Sequence, residues 1–228
     1  MVPTHGEYDL HMLMLRTGCN RFCVVYTHPV LTDAMPLTIA VHLAVASCRS
    51  GYPTKLLDTD PQLTALDWSN TEDTDGVPVV HLGDSGLEDD LPRVGESFEL
   101  VVIDGAPRMG SLTASAVRVS DLVVIRSNPA ADIWSAETVV DVCKSHAVPA
   151  VIVLSRAVVG TKEADEATET LWSFGLPVLN ARTSQCIAYS RALRQGKSVL
   201  DPPSAEKAEA EIRQIANEVL ELIPRADE

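Results

Sequence analysis

The sequence predicts a single α/β domain in which a parallel sheet carries helices on both faces. Short apolar runs alternate with longer segments of helical composition along most of the chain. The runs are apolar at successive positions, which is typical of strands buried on both faces. A length of 228 residues fits one such domain and is sufficient for a sizeable core.

The predicted elements follow one another from residue 21 to the C-terminus, after an N-terminal extension over residues 1–20. Strands are predicted at 22–26, 55–57, 100–103, 122–125, 150–154 and 177–179. Helices are predicted near 37–48, 111–119, 133–146, 162–173, 185–195 and 204–222. Gly51 lies just beyond the first helix as a stop signal. In the last helix an apolar stripe predicts packing on the domain, and it consists of Ala208, Ile212, Ile215, Val219 and Leu222.

Composition and charge exclude several classes of protein. No apolar run reaches the roughly 18 residues that a membrane span needs. The 5 cysteines are scattered and odd in number, which favours a reducing cytoplasm over a disulfide scaffold. The net charge is −14, and the stretch from Asp58 to Asp104 holds 13 acidic residues and one basic residue, Arg93. Such a chain does not coat DNA through its overall field.

Polar residues follow the ends of four predicted strands. They are Asp58, Asp104, Asn128 and Arg156. Because the carboxyl ends of parallel strands meet at one edge of a sheet, we expect these residues to share one rim, where ligands bind in such folds. An acid there can orient Mg²⁺-bound water in a phosphate site. Alternatively, such an acid only caps a loop or a helix start.

Several segments together resemble the ParA/MinD family of deviant-Walker ATPases, especially the small plasmid-partition ParA proteins. The segments are LLDTDPQ, FELVVIDGAP, SDLVVIRSNPAADIWSAETVV and SQCIAYSRALRQGKSVLD. The resemblance covers about 200 residues and implies a P-loop fold that binds ATP and Mg²⁺, dimerises and contacts DNA. It places the candidate catalytic residues at Asp58, Asp60 and Asp104.

The chain departs from the family where the phosphate-binding loop should lie. Residues 26–38 contain neither glycine nor lysine. By spacing, the motif lysine falls on Pro36, the metal-binding hydroxyl on Leu37 and the signature lysine near Leu31. The vestigial loop positions that would have held the cofactor are Thr32, Asp33, Met35, Pro36, Leu37 and Thr38.

These replacements remove the means of holding a triphosphate. A phosphate cradle needs inward-turned backbone N–H groups, which glycine permits, whereas Pro36 has no N–H at all. Asp33 brings a negative charge towards the phosphates, and Leu37 cannot ligate Mg²⁺. A helix N-terminus alone stabilises an exposed negative charge by only about 0.3–1 kcal/mol. We therefore expect no cofactor.

Three functions are compatible with this pattern. The first is a ParA-like partition or cargo-positioning protein that binds partners without hydrolysing ATP. The second is a working ATPase of DNA segregation with a divergent loop, which alone would use ATP and Mg²⁺. The third is a regulatory or assembly subunit that pairs with itself or with an active ParA relative. The expected partners are therefore a protein of the ParB or adaptor type, a ParA-family ATPase or a second copy.

A basic cluster near the C-terminus is the candidate surface for a partner or for weak DNA contacts. It consists of Arg182, Arg191, Arg194 and Lys197. Arg191, Arg194 and Ser198 share a face if the helix extends that far. The alternative is an ordinary solvated face.

Gly196-Lys197-Ser198 resembles the end of a P-loop motif but follows a predicted helix, so we interpret Gly196 as a helix stop. Trp68, Trp134 and Trp172 are expected to pack in the core.

Overall fold

The computed structural model describes residues 21–27, 37–71, 76–83, 87–105, 111–128, 133–173, 175, 177–203 and 205–223. Within these ranges six strands form one sheet: β1 (Arg21–Thr27), β2 (Thr54–Asp58), β3 (Val79–His81), β4 (Leu100–Gly105), β5 (Leu122–Ser127) and β6 (Ala150–Leu154). The helices of the same ranges are α1 (Leu37–Arg49), α2 (Thr64–Ser69), α3 (Leu87–Gly95), α4 (Ser111–Val119), α5 (Ile133–Ser145), α6 (Glu163–Trp172), α7 (Ile187–Arg194) and α8 (Glu206–Leu222). The predicted extension, residues 1–20, lies outside the described residues.

All neighbouring strands are parallel, in the order β3-β2-β4-β1-β5-β6. Alternate residues of β2, β4, β5 and β6 enter one of two cores. Leu56, Val102 and Val124 belong to the core on one face, whereas Leu57 and Ile103 belong to the core on the other. Two covered faces explain why β4, β5 and β6 are apolar along most of their length. The predicted fold class is confirmed.

Helix α1 lies between the sheet and α8, and its side chains from Ile39 to Ser47 are buried. Gly51, two residues after the end of α1, has φ +94° and terminates the helix, as its position predicts. The apolar stripe of α8 is buried as expected, except that Leu222 is 45% exposed and Ile223 takes the inward position. Among the described helices, none is long and apolar enough to cross a membrane.

The edge of the sheet beyond β6 is covered by residues 177–185. The strand predicted at 177–179 is present only as one parallel bridge, with backbone hydrogen bonds from Ile152 to Pro177 and from Leu179 to Ile152. Only single bridges form there, Ile152 with Val178 and Ala157 with Ser184. The backbone N–H groups of Asn180 and Ala181 donate instead to the two carboxylate oxygens of Glu218, at 2.8 and 2.9 Å. Side chains of α8 therefore occupy donors that a further strand would use, which protects this edge.

We predict that Glu218→Ala lowers the free energy of unfolding by about 1–3 kcal/mol, since two backbone donors lose their acceptor. Urea denaturation of the purified chain measures the change. The matched control is Glu221→Ala, which removes the same group from an exposed position of the same helix. Equal midpoints for the two variants would contradict the role given to Glu218.

Candidate functional site

The predicted shared rim exists, and two acids lie side by side on it. The Cα positions of Asp58 at the end of β2 and Asp104 in β4 are register partners, and Val25 of β1 lies opposite Asp104 on the other side. Asp58 is completely buried and Asp104 is 3% exposed. The sheet thus places two carboxyl groups next to each other in a site with almost no access to water.

Asp58 caps the turn that leads from β2 into α2. Its Oδ1 accepts a hydrogen bond from the N–H of Asp60 at 2.9 Å. Its Oδ2 accepts from the N–H groups of Ala65 and Leu66, at 3.0 and 3.1 Å. Leu63, the residue before α2, has no side-chain group that caps the helix. Asp58, seven residues before Ala65, provides the cap instead.

The hydrogen bonds offset part of the cost of burying Asp58. Burial raises the pKa of this carboxyl group, while the backbone donors and His81 act in the opposite direction. Asp60 is also nearly buried and accepts from the N–H of Gln62 at 2.9 Å. Both acids of the DTDPQ segment therefore shape this loop by binding backbone N–H groups.

The Asp104 carboxyl group differs from that of Asp58 in its hydrogen bonding. Its Oδ1 is buried without a hydrogen-bond partner among the described residues. Its pKa is raised well above the ordinary value, first by burial and then by the negative charges of Asp58 and Asp60. Its backbone oxygen accepts from the hydroxyl of Thr59 at 2.6 Å, which ties the two strand ends together. Of the two neighbouring carboxyl groups, Asp58 therefore has the hydrogen bonds that favour its charged form.

The described part of the site consists of acids and of the backbone donors that they bind. Asp104 is one acid that could hold a metal through water, but no three acidic, histidine or cysteine side chains converge on an ion in the described ranges. The groups that act on the pKa of Asp104 there are acids, not the lysines that neutralise phosphates. Thr32, Asp33, Met35 and Pro36 lie outside the described residues, and Leu37 and Thr38 form the first positions of α1.

The predicted basic cluster is divided. Arg191 and Arg194 are exposed on α7, but Arg182 lies on the edge segment and pairs with Asp165 of α6 at 3.2 Å. Helix α7 ends at Arg194, so Ser198 does not continue its face. Ser198 is buried, and its Oγ is 3.0 Å from Nδ1 of His42, whose pKa burial lowers to about 3.

Two further expectations concern Gly196 and the three tryptophans. Gly196 follows α7 with φ +70°, which confirms it as a helix stop and dismisses the apparent P-loop ending. Trp68 packs in the core as expected, and its Nε1 donates to the backbone oxygen of Lys197 at 3.2 Å. The expectation for Trp172 is wrong, because it ends α6 with its side chain 60% exposed. The side chain of Trp134 is outside the described residues.

Comparison with known proteins identifies the class first. MinD from Pyrococcus furiosus superposes with a TM-score of 0.71 at 17% identity, covering 89% of this chain and 99% of that structure. A variant of Cyanothece McdA in complex with ATP gives a TM-score of 0.67 at 12% identity, covering 90% of this chain and 96% of that structure. These structures show the fold of the MinD-type P-loop nucleoside triphosphatases.

A curated relative then shows the family. Maintenance of carboxysome distribution protein A from Gloeobacter kilaueensis is 30% identical over 197 residues, covering 80% of this chain and 87% of the relative. No family model matches the sequence. The chain belongs to the ParA/MinD family, which confirms the resemblance carried by the strand-end acids.

We predict that Asp58→Asn lowers the free energy of unfolding by about 1–3 kcal/mol, because the new amide cannot accept all three backbone donors. Chemical denaturation without nucleotide measures this structural role directly. Asp141→Asn, the same change at an exposed position of α5, is the control and should be neutral. An Asp58→Asn variant as stable as the control would contradict the capping role.

We predict that Asp104→Asn stabilises the fold and that its advantage grows with pH. In the unfolded chain this carboxyl ionises near pH 4, whereas in the folded chain the raised pKa keeps the proton bound. Between these two pKa values the folded state binds more protons, so wild-type stability falls as pH rises, by at most about 1.4 kcal/mol per pH unit.

Asparagine does not titrate, so the variant loses this decline. Thermal unfolding of both proteins from pH 4 to pH 8 measures the difference. A stability difference that is independent of pH, or one that shrinks as pH rises, would contradict the buried, protonated Asp104.

Proposed function

We propose that this chain is a ParA-like cargo-positioning protein that acts by binding protein partners and does not hydrolyse ATP. The observation that carries the proposal is the contrast between the retained strand-end acids and the stretch at residues 26–38, which has no glycine and no lysine. Asp58 is occupied as a structural cap, which supports a scaffold kept for its shape.

The curated relative supports one kind of cargo. That protein is named for maintaining carboxysome distribution, and it matches over most of its length. A carboxysome is therefore a better candidate for the cargo than the plasmid suggested by the sequence motifs alone. The strongly acidic composition favours a protein partner over DNA as the surface to which the chain attaches.

A working ATPase remains the second candidate, and Asp104 is the observation that favours it. A buried carboxyl oxygen without a hydrogen-bond partner is costly, and an unused group of this kind invites a ligand such as a water on Mg²⁺. In that case Asp58 would orient the attacking water, and a cationic group from elsewhere in the chain or from a partner would replace the missing lysines.

Isothermal titration calorimetry with Mg-ATP, combined with a phosphate-release assay on the same preparation, separates the two candidates. We expect no saturable heat and no phosphate release above the protein-free blank. Micromolar binding with turnover that Asp58→Asn abolishes and Asp141→Asn preserves would overturn the proposal in favour of the ATPase.

A further inference from the structure

Two adjoining cavities lie along α6. The first, of 320 Å³, lies between residues 157–161, the start of α6 and the start of α8. The second, of 450 Å³, lies further along α6 towards Trp172 and is bordered on its other side by residues 178–182. Asp165 and Arg182 line both cavities, and their ion pair lies at the boundary between them. We call the two cavities together the α6 groove.

Exposed apolar side chains concentrate in the α6 groove. Among the described residues, the large apolar side chains that are exposed are Val158, Val159, Trp172, Ile187 and Leu222. The first three of these line the groove, at 44%, 70% and 60% exposure. Single exposed apolar residues are ordinary, but their grouping in a concave surface is characteristic of a binding site for an apolar group.

The charge of the groove selects the occupant. Arg182 is paired with Asp165, and Lys207 lies 3.8 Å from Glu211, so the two cations that line the groove face acids of this chain. Glu169 lines the groove one turn before Trp172. Its side chain forms no ion pair or hydrogen bond with the described residues. The last turn of α6 contains no basic residue to offset its negative dipole end. The surroundings of Trp172 therefore attract a cation.

We propose that the α6 groove binds an extended segment of a partner protein that carries a large apolar residue and, about four residues away, a lysine or arginine, since α6 spans ten residues between its two cavities. The apolar side chain covers Val158 and Val159, and the cation lies over the ring of Trp172, next to Glu169. A second copy of this chain is a poor occupant, because a symmetric contact would bring two acidic α6 helices together. This inference supplies the partner surface of the proposed function and rests on it.

NMR titration of the full chain with a short peptide of alternating leucine and lysine tests the groove. The indole N–H resonance of Trp172, assigned by its loss in Trp172→Phe, should shift in a saturable way while that of buried Trp68 stays unchanged. A peptide of alternating leucine and glutamate should leave both in place. Added salt should weaken the interaction.

Two variants locate the interaction. Glu169→Gln should weaken the apparent affinity about two- to fivefold, whereas Glu166→Gln, the same charge change on α6 at an exposed position that does not line the groove, should not. Trp172→Ala should weaken it about tenfold through the lost apolar contact, measured for this variant by the backbone amide resonances of α6 in place of the lost indole resonance. Because Trp172 is exposed, the Trp172→Ala variant should fold. If Trp172→Ala does not fold, the comparison of Glu169→Gln with Glu166→Gln decides the test.

Absence of saturable binding at millimolar peptide, equal responses to the two peptides, or equal effects of the two glutamate variants would overturn the inference. A shift of the Trp172 resonance with protein concentration alone would also overturn it, by identifying a second copy as the occupant. These outcomes are separate from the calorimetry with Mg-ATP: ATP turnover would end the proposed function, whereas an unresponsive Trp172 would end only the assignment of its surface.

Discussion

A carboxylate that is buried at the end of a strand must find hydrogen-bond donors, and this constraint organises the rim of the sheet. Asp58 satisfies it with three backbone N–H groups, which fixes the loop after β2 and starts α2. Asp104, directly opposite in the register, has an oxygen without such donors among the described residues, and burial together with the neighbouring acids raises its pKa. Of the two acids that a phosphate site would need, Asp58 is therefore a structural cap, and burial disfavours the charged form of Asp104.

Carboxylates of α8 perform a related task at the edge of the sheet beside β6. Glu218 accepts from two N–H groups of the edge segment, and Glu211 accepts from the N–H of Ser184 and from the hydroxyl of Tyr189. The C-terminal helix is held by more than its apolar stripe, since these bonds attach it to the segment that closes the α6 groove. The rim at β2 and the edge beside β6 thus both use carboxylates to bind backbone N–H groups.

The sequence was sufficient for the fold because strands such as β4 and β5 are apolar on both sides and their order of alternation with helices is regular. It was not sufficient for α2, which has six residues and takes its cap from Asp58, or for α3, whose buried Leu87 and Leu91 are hidden among acids and accompanied by Pro92. The shared rim of Asp58 and Asp104 followed from parallel pairing alone. The direction of each hydrogen bond did not, because it depends on where α2 begins. The α6 groove could not be predicted from the sequence. Trp172 ends a helix, and the sequence does not indicate whether its side chain is buried or exposed there.

We propose that the strand-end acids form a closed structural pair and not a working nucleotide site. Carbon-13 NMR of the aspartate carboxyl groups can follow Asp58 and Asp104 across pH with and without Mg-ATP. We expect Asp104 to keep its proton at a pH where an ordinary aspartate is ionised, and we expect Mg-ATP to move neither resonance. An Asp104 that ionises normally and shifts in a saturable way on addition of Mg-ATP would contradict it.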